Sequence, residues 1–98
     1  MTDIYDPPAN VAETAWIKSM DQYREMYERS IKDPDGFWAE QAEQFIWFKK
    51  WDRVRKFNYN VKKGKIFIEW FLGAKTNITV NCLDRHIESR GDQTAILW

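Results

Sequence analysis

The sequence predicts an α+β chain, and three observations predict it. Serine and aspartate cap signals precede two stretches whose apolar residues recur at helical spacing. A β-prone run follows a glycine-containing turn. The last residues, Thr94-Ala95-Ile96-Leu97-Trp98, read as a strand after a third helix. The expected architecture is three helices, a short β-hairpin or strand region, and a C-terminal strand meant for a larger sheet.

The elements follow in order. Residues 1–15 read as an extended lead, because Pro7-Pro8 disfavours helix and favours extended backbone. Ser19 opens the first helix, with Gln22 three residues on completing a capping box. Met20, Tyr23, Met26, Tyr27 and Ile31 form a stripe expected to pack, and Arg24, Glu25, Glu28 and Arg29 fill the other face. Asp33 caps the second helix and Pro34 occupies its first position, where the missing N–H costs nothing. Trp38, Ala42 and Phe45 line this helix, with Phe37, Ile46, Trp47, Phe48 and Trp51 widening the stripe. A stripe that broad implies burial on more than one side, or a face meant for a partner.

After Trp51 the character changes. Residues 53–59 read as a weak extended segment. Asn60-Val61-Lys62-Lys63-Gly64 is a turn, with glycine at the position that needs a positive φ. Residues 65–72 read as a strand, apolar on both faces and broken by Gly73. A third helix starts near Thr76 or Asn77 and carries Ile78, Leu83 and Ile87, and Gly91 is expected to cap it in the left-handed conformation. The final strand then has no partner following it. Such a strand leaves apolar side chains and backbone groups exposed, which reads as the front end of a larger protein.

Composition bounds the function. Ninety-eight residues make at most one domain. A chain this short buries only about 60–65% of its unfolded surface, so its core is thin. Six Trp, six Phe and four Tyr exceed what a thin core accommodates, since each buries about 150–250 Å² when packed. Some must face a partner. The 15 acidic and 15 basic residues cancel, so no global field favours nucleic acid or an anionic membrane. A single cysteine excludes a disulfide framework. The acidic, proline-containing start resembles neither a secretory signal nor a transit peptide, and the expected location is the cytoplasm.

Few groups could carry chemistry. Cys82 and His86 stand four apart on the third helix, but zinc needs three or four protein ligands and the chain has no second Cys or His. They read as a buried structural thiol beside a satisfied histidine, with no oxyanion donors to make a nucleophile pair. Asp33-Pro34-Asp35-Gly36 lacks the ligand spacing of a calcium loop. Asn77-Ile78-Thr79 matches a glycosylation sequon that matters only in a secreted chain. Lys49, Lys50, Arg53, Arg55 and Lys56 interleave with Trp47, Phe48, Trp51 and Phe57, a pattern compatible with single-stranded nucleic acid. It reads more simply as a helix-to-strand junction with packed rings and solvated charges. The glycines, at 36, 64, 73 and 91, are too scattered to form a phosphate-cradling loop. No catalytic, cofactor-binding or metal-binding residue is assigned.

The order of features is more specific than any one of them. Tyr23-x-x-x-Tyr27-x-x-Ser30-Ile31 precedes Asp33-Pro34-Asp35-x-Phe37-Trp38. Then come Trp70, Asn81-Cys82-Leu83-Asp84-Arg85-His86 and Arg90-Gly91-Asp92-Gln93-Thr94-Ala95-Ile96-Leu97-Trp98. Together these resemble the N-terminal segment of AMP-forming acetyl-CoA synthetases, in the adenylate-forming superfamily, over about residues 9–98. The resemblance departs from the family pattern at Leu72-Gly73-Ala74-Lys75, where the usual glycine-rich turn is altered. It implies that residues 16–98 are an incomplete part of a larger adenylate-forming domain, whose remainder is the partner. It implies a parent that uses ATP, magnesium and CoA to convert acetate to acetyl-CoA through acetyl-adenylate. The family's phosphate loop, adenylate-binding motif and C-terminal lysine have no matching positions here, and Arg85 and Arg90 are not assigned to CoA. Two alternatives stay open: the same segment of a propionyl-CoA synthetase, and a stand-alone, aromatic-rich protein-interaction module.

Overall fold

A computed structural model describes residues 5–98. It is α+β: four helices, two short helical turns of other pitch, and one two-stranded antiparallel sheet. The chain forms two compact units, whose boundary falls between Phe37 and Trp38.

In the first unit, α1 (Ala9–Thr14) lies within the expected extended lead. The proline pair does not prevent it, because Pro8 stands just before the helix and its carbonyl accepts from Val11 and Ala12 (both 3.0 Å). A proline at a helix start loses no hydrogen bond. The capping of α2 (Met20–Lys32) follows the sequence closely: the Gln22 N–H donates to Ser19 Oγ at 3.1 Å. The Gln22 amide oxygen reaches back to the Lys18 N–H (2.8 Å) rather than to that of Ser19. Tyr23 and Tyr27 stack at 6.2 Å, and Glu28 pairs with Lys32 at 2.8 Å. The stripe expected to pack does not: Met20, Tyr23, Tyr27 and Ile31 are all exposed.

Asp33 does two jobs. Its N–H donates to Arg29 O, closing α2, and its carboxylate accepts from the Gly36 N–H (3.0 Å), opening α3 (Pro34–Ala42). The stripe predicted to run on to Trp51 breaks off at Ala42. Glu43, Gln44 and Phe45 tighten into i→i+3 bonds, a usual way to satisfy a helix's last carbonyls. Beyond them the backbone pairs with a distant segment. Phe48 N donates to Lys75 O (2.7 Å), and Lys75 N to Lys49 O (2.9 Å). These long-range bonds override the local helical spacing.

The second unit is built on that sheet. β1 (Arg53–Asn58) pairs antiparallel with β2 (Phe67–Leu72), from Arg53 opposite Leu72 to Asn58 opposite Phe67. A 3₁₀ turn (Val61–Lys63) joins them, and Gly64 has the expected positive φ, +112°. Asn58 Nδ2 ties the turn by donating to Lys65 O (2.9 Å). β2 ends in strain: Phe71 has φ +50°, unusual for a side chain with a Cβ, and Gly73 follows at +77°.

The last helical stretch begins at Ile78. Asn77 Oδ1 accepts from Thr79 N (2.8 Å) and Val80 N (3.4 Å). The turn then widens into a π-helical segment (Val80–Asp84) before α4 (Arg85–Arg90). Two expectations fail here. Gly91 is right-handed, with φ −59°, and extends the helical path by donating to Ile87 O. Residues 94–98 form no strand, and Ile96, Leu97 and Trp98 are almost fully exposed. No sheet edge among the described residues pairs with them; the sheet consists of β1 and β2. The buried apolar side chains among the described residues are Phe37 and Ala42, the thin core that chain length predicts.

Candidate functional site

The second unit presents an open apolar groove of about 500 Å³. α3 contributes Trp38 and Ala42 to it, the connection after α3 contributes Phe45 and Trp47, β2 contributes Phe71, and the last helical stretch contributes Ile78 and Cys82. Its side chains carry no carboxylate and no ammonium or guanidinium group. Electrostatic recognition of a charged substrate has nothing to work with here.

Two local devices hold the walls. The first is aromatic. Trp47, Trp51 and Phe71 lie within 5.1–5.3 Å of one another, ring centroid to centroid. The Trp47 indole N–H donates to Ala42 O at 2.8 Å, so its polar atom is satisfied and its face remains for packing. Trp70 adds an edge-to-face contact with Trp38 at 6.4 Å. Phe71 holds its unfavourable φ inside this cluster, where ring contacts offset a local cost of order 1–3 kcal/mol.

The second device is Asn81, the buried polar side chain among the described residues. Its Oδ1 accepts from Ile46 N (2.7 Å). Its Nδ2 faces Ile46 O (3.0 Å), Thr76 Oγ1 (3.0 Å) and Asn77 O (3.1 Å). Thr76 Oγ1 also donates to Ile46 O at 2.7 Å. One amide thus satisfies both backbone groups of a residue 35 positions away, as buried polar groups require, and pins the post-α3 connection to the last helical stretch. Arg85 adds a bond to Gln44 O (2.9 Å). The sequence placed Asn81 in the family-like run from Asn81 to His86 but assigned it no structural role. The available signal was the run of short polar residues Thr76, Asn77 and Asn81 around the start of the last helical stretch.

Cys82 and His86 line a second, smaller depression of about 380 Å³ with Leu83, Ile87 and Arg90. Cys82 is exposed, not buried as expected. The π-helical turn sets Asn81 inward in its place. Among the described residues no cluster of three His, Cys, Asp or Glu groups could hold a metal ion, and two ligands alone do not make a zinc site.

The basic and aromatic cluster is engaged internally. Arg55 lies over Phe57 (4.7 Å) and Trp70 (5.5 Å), Lys56 over Phe67 (5.7 Å), and Lys50 over Trp51 (6.0 Å). Lys49 pairs with Asp52 at 3.0 Å, and Lys50 pairs with Glu43. Among the described residues, Glu28 has a displaced titration. The hydrogen bond from Lys32, and then its charge, hold that carboxyl below its ordinary 4.5. The pair is exposed on α2 and has the geometry of a surface i,i+4 pair rather than a catalytic group. Among the described residues, the groove lining carries no charged side chain that could meet ATP, magnesium or CoA.

Comparison with known proteins gives the context. The chain is 55% identical to the acetyl-coenzyme A synthetase of Magnetococcus marinus over 96 residues, which is 97% of this chain and 14% of that protein. It is 52% identical to that of Alkalilimnicola ehrlichii and 48% identical to that of Bdellovibrio bacteriovorus, again over 14% of each relative. The chain therefore spans about one-seventh of the curated relatives it matches. Residues 23–82, which contain every groove residue from Trp38 to Cys82, match the family described as acetyl-coenzyme A synthetase N-terminus. The chain belongs to the acetyl-coenzyme A synthetase N-terminus family.

Proposed function

We propose that these residues serve as the N-terminal structural segment of an AMP-forming acetate–CoA ligase. The parent reaction joins acetate to ATP, giving acetyl-adenylate and pyrophosphate. CoA then takes the acetyl group and AMP leaves. In this reading residues 16–98 belong to a larger adenylate-forming domain, residues 1–15 lead into it, and the protein works in the cytoplasm. ATP, magnesium and CoA bind elsewhere in the parent, and no residue of this segment touches a reacting atom.

The match of residues 23–82 to the synthetase N-terminus carries the reading. The uncharged lining of the groove supports a packing role for it. The test is a chimera in which these 98 residues replace the matching segment of the Magnetococcus marinus synthetase. It is expected to form acetyl-CoA from acetate, ATP and CoA at a rate within about threefold of the parent. A folded chimera that binds substrates but forms no acetyl-CoA contradicts the reading, as does acetate-dependent pyrophosphate release by the 98-residue chain alone.

A further inference from the structure

We propose that the apolar groove is the seat on which the rest of the synthetase polypeptide docks, through an uncharged aliphatic or aromatic cluster of its own. This rests on the functional reading above and assigns that reading a surface.

The lining selects the chemistry. Trp38, Phe45, Trp47, Phe71 and Ile78 offer hydrocarbon, while the Asn81 amide turns its hydrogen-bonding capacity toward Ile46, Thr76 and Asn77. Acetate, ATP and CoA are anions and would enter without a counter-charge, at a large desolvation cost. A nonpolar protein surface enters without that cost. Large apolar side chains stand open here: Phe45 is 54% exposed and Ile78 77%. A lining that is almost wholly hydrocarbon suits a nonpolar partner surface better than a polar one.

The walls are already set. The Trp47 indole bond to Ala42 and the Trp47, Trp51 and Phe71 contacts brace them from within this unit. Preorganisation lowers the ordering cost of docking.

Length and covalent connection select the occupant. The matched stretch is 14% of each relative, so most of a relative's polypeptide lies outside it. A tethered partner reaches an effective concentration of about millimolar. A second copy at micromolar concentration competes against that about a thousandfold disadvantage. Every lining residue lies in the stretch shared with the family, so the groove travels with the match rather than with a peripheral extension.

The test measures cysteine alkylation by a small maleimide, read by peptide mass spectrometry. Ile78→Cys, in a Cys82→Ala background, places the probe in the groove and outside the second depression. Val61→Cys, in the same background, is the reference on the hairpin turn, where Val61 is 76% exposed. Both are compared between the 98-residue chain and the chimera with the Magnetococcus marinus synthetase. The expected result is alkylation of Ile78→Cys at least tenfold slower in the chimera, with Val61→Cys unchanged. Equal rates for Ile78→Cys in a chimera that forms acetyl-CoA overturn the docking surface and leave the functional reading standing. Protection that appears in the 98-residue chain as its concentration rises overturns the proposal in favour of a second copy. Should the chimera fail to fold, the natural Magnetococcus marinus synthetase with cysteine at the position aligned with Ile78 gives the same readout. Rapid alkylation there, at the rate of an unfolded control, also overturns the proposal.

Discussion

Replacing Asn81 with alanine should loosen the second unit more than any other single polar substitution in it. The amide faces four partners, but Nδ2 has two hydrogens for its three acceptors, so about three bonds hold at once. At about 0.5–1.5 kcal/mol net each, the loss is roughly 1.5–4.5 kcal/mol. Two features reduce it. Ile46 O keeps its bond from Thr76 Oγ1, and Ile46 is 41% exposed, so water can reach its N–H. The expected cost is about 2–3 kcal/mol, since one donor is left without a protein partner. For a chain of this size that lowers Tm by roughly 10–20 °C. Asn81→Asp should cost at least as much at neutral pH, because it keeps the acceptor for Ile46 N–H and turns an oxygen toward Ile46 O and Asn77 O. Thermal unfolding followed by both far-ultraviolet circular dichroism and tryptophan fluorescence measures the shift. Coincident transitions that move by less than about 3 °C in Asn81→Ala would refute the assignment of Asn81 as the pin.

Three other outcomes are expected. Lowering pH should protonate Glu28 with a midpoint below 4.5, and Lys32→Ala should return it toward that value, as read by carboxyl carbon chemical shifts. Because the folded-state pKa is depressed, the stabilisation by this pair is present above the unfolded value and is lost as pH falls through the folded one. Dialysis of the chain against zinc should leave well under one equivalent bound by metal analysis, and a one-to-one content would contradict the reading of Cys82 and His86. Deleting residues 95–98 should raise solubility and leave the helical signal unchanged, since Ile96, Leu97 and Trp98 lie exposed outside every element; a collapse of that signal would show that these residues belong to the core.

What the sequence revealed was local. Ser19 with Gln22, Asp33 with Pro34, and Gly64 act within three or four residues, and each appears where the residue types required it. The failures are cases where distant contacts win. Ala42 ends α3 although apolar residues recur to Trp51, because Phe48 and Lys49 take backbone partners at Lys75. Cys82 and Asn81 exchange places because a π-helical turn shifts which side faces inward, and helical spacing alone assumes a uniform pitch. Gly91 can adopt a left-handed cap but does not need to, and here it simply continues the helical path. The groove was foreshadowed by the excess of aromatics and by the over-wide stripe around Trp38, Phe45 and Trp47. Its anchor was not, because Asn81 acts across 35 residues on a backbone group.

The central claim is that this segment shapes the synthetase and takes no part in its chemistry. Steady-state kinetics of the Magnetococcus marinus chimera carrying Asn81→Ala, Cys82→Ala or His86→Ala tests it most directly, with thermal stability measured on the same samples. The account predicts that kcat per folded molecule stays within about twofold in all three, while Tm falls for Asn81→Ala. A loss of kcat of a hundredfold or more in a variant whose Tm is unchanged, about 2.7 kcal/mol of transition-state stabilisation, would place chemistry in this segment and contradict the account.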